Sequence, residues 1–104
     1  MSHGDVSMKK TLLEMLLTEL ESEIPKMKSL IEEADWQTLR ETSHRMKTTL
    51  PYVGNQQMLH ANLEIENRAK QLKQLEQVPQ FQNQLESLFP KVLKELREEY
   101  AKLD

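Results

Sequence analysis

Two side chains one helical turn apart, His44 and Lys47, are the residues whose types and spacing could do chemistry. On a helical wheel of roughly 100° per residue, Trp36, Leu39, Ser43, Met46, Leu50 and Val53 share one face. Arg40, His44, Lys47, Thr48 and Pro51 form the adjoining stripe, with His44 roughly 130° from the centre of the apolar face. His44 is therefore expected in solvent on the rigid middle of a helix. The Lys47 ammonium, at i+3, can reach the space above its ring. Periodicity alone makes His44 an ordinary histidine on a solvated face, since exposed polar residues are the norm. The other chemistries open to histidine find little support. His3, His44 and His60 have no i, i+4 pairing, and no carboxylate stands at a zinc-site spacing from them. A Ser/His/Asp hydrolase would need a strained nucleophile turn and a pocket that nothing in the pattern suggests.

The elements that must position these residues read as helices. From about Val6 to Glu33, Met8, Leu12, Met15, Leu16, Glu19 and Leu20 recur at steps of three and four, widened by Leu13 and Leu17. Pro25 predicts a kink or break near Ser22–Ile24, followed by a shorter helix carrying Met27, Leu30 and Ile31. Asp35 suits an N-cap for the histidine helix, which Pro51 and Gly54 close. Trp36, at its start, reads as a packing anchor. Asn55 opens a segment reaching about Leu75, with Met58, Ala61, Ile65, Ala69 and Leu72 inward. The last segment runs from about Gln80 to Leu103 and presents Phe81, Leu85, Leu88, Val92, Leu96 and Leu103, with Pro90 inside it. Met15, Met27, Met46 and Met58 fall on apolar stripes and read as core filling. Short connections between long helices imply antiparallel neighbours. The expected fold is an all-α, up-and-down four-helix bundle with a kinked or split N-terminal helix. It forms a single domain over residues 1–104, with 1–5 disordered or appended for expression.

Composition agrees. The 104 residues include 17 Leu, 14 Glu and 10 Lys but only seven Val plus Ile, a helix-forming bias. Zero Cys excludes disulfide scaffolds and thiolate metal sites, and two Gly leave no phosphate-binding loop. A net charge of −3 with dispersed lysines argues against nucleic-acid binding. No apolar run approaches the ~18 residues of a membrane span. The opening residues lack the apolar core of a signal peptide, so a cytoplasmic protein is expected.

The stretch Ser43-His44-Arg45-Met46-Lys47-Thr48-Thr49-Leu50-Pro51-Tyr52-Val53-Gly54 resembles the motif of histidine-containing phosphotransfer (HPt) domains. That motif has a histidine, an apolar residue at +2, lysine at +3, small residues after it, and an apolar–glycine pair at +9 and +10. Ala34-Asp35-Trp36 followed by Leu39, and the pair Ile65-Glu66, also resemble the family, and the likeness spans essentially the whole chain. There are departures. Thr48 stands where the family most often has glycine, so its side chain either crowds the imidazole or donates to the ring or to a phosphoryl group. Pro51 and Tyr52 replace small residues, and Asn62 stands where a cysteine or another small residue is common.

The resemblance implies that His44 accepts a phosphoryl group from an aspartyl-phosphate on a response-regulator receiver and passes it to another receiver aspartate. It implies that Lys47 offsets the phosphoryl charge. A neutral imidazole is already a competent nucleophile near pH 7, so no activating base is needed. No cofactor is implied on this chain, and the Mg²⁺ of the reaction belongs to the receiver. The partner surface is expected to comprise Arg40, Thr48 and Pro51 with Leu59, Asn62, Leu63 and Glu66 of the next helix. Leu59 and Leu63 serve equally well as core. Glu66 either hydrogen-bonds at the edge of the site or is merely solvated. Gly54 would end the histidine helix. The partners implied are receivers and a hybrid sensor histidine kinase, with the chain a monomer. A non-catalytic helical adaptor that binds a receiver without phosphotransfer, and a bundle fragment of a larger sensor kinase, are the competing functions.

Overall fold

A computed structural model describes the backbone of residues 3–103 and the side chains of residues 7–103. Four helices follow in order: α1 (His3–Glu32), α2 (Trp36–Thr49), α3 (Gln56–Gln71) and α4 (Val78–Lys102). α1 begins at His3, so three of the five residues expected to be disordered or appended are helical. Residues 1 and 2 lie outside the described residues. Each helix packs against two neighbours, α1 on α2 and α4, and α3 on α2 and α4. Side-chain pairs fix the directions. Glu19 meets Thr49 while Glu23 meets Arg45, so α1 and α2 run oppositely. Glu14 meets Tyr100 while Ile24 meets Gln82, so α1 and α4 do as well. The result is an up-and-down antiparallel bundle of 51 × 21 × 21 Å. No strand occurs among the described residues.

The connections are tight because the caps are good. Ala34 takes a left-handed conformation (φ 57°), letting Asp35 N–H bond back to the Leu30 carbonyl. The Asp35 carboxylate then accepts from Thr38 N–H at 3.2 Å and starts α2. α2 gives way to a 3₁₀ turn at Leu50–Tyr52, where Pro51 sits in the first turn. Gly54 follows with φ +76°, and nothing lies within 4 Å of where its Cβ would be. Glycine is favoured there by the backbone angle rather than by space. Asn55 caps α3 by accepting from Met58 N–H at 3.0 Å.

The core runs along the bundle through Leu16, Leu20, Ile24, Met27, Leu39, Met46, Leu50, Met58, Ile65, Leu85, Val92 and Leu96. Three expectations fail here. The buried stripe of α1 is Leu13–Leu16–Leu20–Ile24–Met27–Leu30, whereas Met8, Leu12 and Met15 are exposed. That half of α1 reaches past the ends of α2 and α3, so only α4 is there to cover it. Next, of the kink or break expected at Pro25, the break does not occur: α1 is continuous through it. The ring removes one i→i−4 bond on an exposed surface, while Ile24 and Met27 on either side of it are buried. The third failure is at the end of α3. The helix ends at Gln71, and Leu72 is an exposed left-handed cap (φ 55°) rather than a core residue. No described helix is long and apolar enough to cross a membrane.

Candidate functional site

α2 buries Leu39, Thr42, Ser43, Met46 and Thr49, which leaves Arg40, His44, Lys47 and Thr48 on the outside. The two buried hydroxyls nearest the site behave differently. Thr42 bonds back to the Thr38 carbonyl at 2.9 Å, while Ser43 Oγ has no partner. Across the interface, Asn62 Nδ2 donates to the Ser43 carbonyl at 2.9 Å. This bond ties α3 to the backbone one residue before His44. Asn62 is 1% exposed, so its expected place on a docking surface does not hold: its amide is spent inside the bundle.

Glu66 lies one helical turn beyond Asn62 on the same side of α3, and that turn brings it under the histidine. Its Oε2 is 2.7 Å from His44 Nδ1, and its Oε1 is 3.7 Å from Lys47 Nζ. The Glu66 side chain is 9% exposed, against 65% for His44 and 47% for Lys47. One buried carboxylate therefore holds both exposed side chains from below. An ionised carboxylate only accepts, so Nδ1 carries the proton. In the neutral ring the lone pair then sits on Nε2. The arrangement supplies an exposed nucleophilic nitrogen, a ring held by a charge-assisted bond, and an ammonium close by.

The remaining expected residues divide clearly. Arg40 and Pro51 are exposed, and Arg40, Glu41, His44 and Arg45 line one shallow groove. Thr48 does not bond the imidazole: its hydroxyl donates to its own helix at the Arg45 carbonyl, 2.8 Å away. Leu63 is 40% exposed, while Leu59 is half-buried against the core. Trp36 is also half-buried against the core, as a packing anchor should be. Glu66 is enclosed rather than solvated. The sequence reading missed the two acids of α1 that brace α2. Glu23 Oε1 stands 3.5 Å from Arg45 Nη2, and Glu19 Oε2 accepts from Thr49 Oγ1 at 2.8 Å. Their four-residue spacing was the available signal. Among the described residues no cluster of three or more His, Cys, Asp or Glu could hold a metal.

The model of the Hpt domain family matches residues 11–104, nearly the whole chain, and the chain belongs to that family. Comparison with curated proteins and with solved structures gives no match.

Proposed function

We propose that this Hpt-domain chain is a phosphorelay carrier in which His44 is the phosphoacceptor. Hpt domains serve histidine phosphotransfer with receiver domains. The observation that supports His44 is its Nδ1 bond to buried Glu66 on an otherwise exposed ring, which leaves the Nε2 lone pair facing outward from the bond.

The step balances as follows. The Nε2 lone pair attacks the phosphorus of an aspartyl-phosphate on a receiver. The Nε2–P bond forms, the bond from phosphorus to the carboxyl oxygen breaks, and the receiver carboxylate leaves with that electron pair. The ring, still protonated at Nδ1, becomes positive, and the Glu66 carboxylate beside it balances that charge. Lys47 adds positive charge near the phosphoryl oxygens. Positioning and electrostatics carry most of such a transfer. Reversal onto a second receiver aspartate completes the relay. The Mg²⁺ belongs to the receiver, and the chain works as a monomer in the cytoplasm, with receivers or a hybrid sensor kinase as partners. Exposed Pro51, Thr48 and Leu63 belong to the docking surface.

Incubation with phosphorylated receivers and Mg²⁺ tests the proposal. Acid-labile, base-stable phosphate on the wild type, absent in His44→Gln, is the expected result. Equal labelling of His44→Gln would overturn the site. Receiver binding without any label would leave the helical adaptor as the function.

A further inference from the structure

Three cations surround His44, and they are not equivalent. Lys47 Nζ is 3.7 Å from Glu66 Oε1, and Arg45 Nη2 is 3.5 Å from Glu23 Oε1. Arg40 is exposed, and among the described residues it has no hydrogen-bond or ion-pair partner. It shares a groove with His44, four residues on along the same helix, about 6 Å along the axis. Glu41, the acid of that groove, is adjacent to Arg40 in sequence and one turn from Arg45, so helical spacing does not face it toward Arg40.

Building on the phosphorelay reading, we infer that Arg40 is a phosphoryl-binding residue, gripping the oxygens of the group carried on His44 Nε2. A phosphoryl group brings close to two negative charges at neutral pH. Lys47 already shares its charge with Glu66, so it neutralises only part of this. A guanidinium offers a planar fork that meets two phosphoryl oxygens at once, which an ammonium cannot do. With Arg40 on the N-terminal side and Lys47 on the C-terminal side of the ring, the phosphoryl group is held from both directions along α2.

Potassium phosphoramidate tests this without a receiver. The Nε2 lone pair attacks its phosphorus, the P–N bond breaks, and ammonia leaves with that electron pair. We expect Arg40→Gln to slow phosphorylation of His44 about tenfold, the effect of one charge-assisted hydrogen bond, and Arg40→Lys to recover part of the loss. In the wild type, the ¹⁵N signal of Arg40 Nε should shift when His44 is phosphorylated. Circular dichroism should show all variants folded, since Arg40 is exposed. Phosphorylation of Arg40→Gln within about twofold of the wild type, with no Nε shift, would overturn the Arg40 assignment and leave the relay intact. No phosphate on wild-type His44 would overturn the relay reading, and the role of Arg40 with it.

Discussion

Replacing Glu66 separates its two contacts. Its carboxylate accepts from His44 at 2.7 Å with one oxygen and faces Lys47 at 3.7 Å with the other. Glutamine offers one acceptor and one donor in the same place. If its oxygen faces His44, its amide N–H₂ faces the Lys47 ammonium, and that contact is lost. If it turns over, an N–H points at Nδ1 and forces the proton onto Nε2, which removes the nucleophile. The His44 contact is the shorter, so the first arrangement wins and Glu66→Gln keeps most of its activity. Leucine keeps neither contact and leaves the ring free to turn and change tautomer. A charge-assisted hydrogen bond contributes about 1.5–3 kcal/mol. The 65% exposure of the His44 side chain cuts this to roughly 1–1.5 kcal/mol. At about 1.36 kcal/mol per factor of ten, Glu66→Leu should slow single-turnover transfer about five- to tenfold, and Glu66→Gln about threefold or less. Quench-flow transfer from a phosphorylated receiver measures both. A Glu66→Leu protein that is folded and as fast as the wild type would refute the ring-holding role.

Other substitutions test the frame around the site. Asn62→Asp puts a buried carboxylate against the Ser43 carbonyl, two acceptors face to face. It should cost about 2–3 kcal/mol in urea unfolding, and a loss under 0.5 kcal/mol would mean the bond to Ser43 is absent. Gly54→Ala, at φ +76° with open space around it, should cost about 1 kcal/mol, all of it backbone strain. Pro25→Ala restores an i→i−4 bond on the exposed side of an unbroken helix and should raise stability by about 1–2 kcal/mol. Tyr100 donates to Glu14 at 2.6 Å, and this bond raises its phenol above the ordinary 10.0. The fold then favours the protonated phenol, so its contribution is complete below pH 10 and is lost as the pH rises through the shifted value. Stability measured from pH 9 to 11.5 should fall less steeply in Tyr100→Phe.

The division between sequence and tertiary structure is clearest at α1 and at Glu66. Helical periodicity located all four helices, since each needs only one apolar stripe, and the Asp35 and Asn55 caps were legible because capping is local chemistry. The His44–Lys47 spacing and its exposure followed from the same wheel. Periodicity could not choose between the Met8–Leu12–Met15 and Leu13–Leu16 faces of α1, because the N-terminal half is apolar over much of its circumference. The lengths of α2 and α3, and the position of α4, made that choice. Nor does a wheel show what lies across an interface. Asn62 and Glu66 read as part of a docking face, with Glu66 either bonded at the edge of the site or solvated, and the packing of α3 on α2 buries both. It gives one amide to the Ser43 carbonyl and sets one carboxylate between an imidazole and an ammonium. The sequence by itself determined which nitrogen-bearing side chains stand on the working face of α2. Which ring nitrogen is left free, and which cation is left unpaired, are set by contacts between residues some 20 positions apart, and only the tertiary structure decided them.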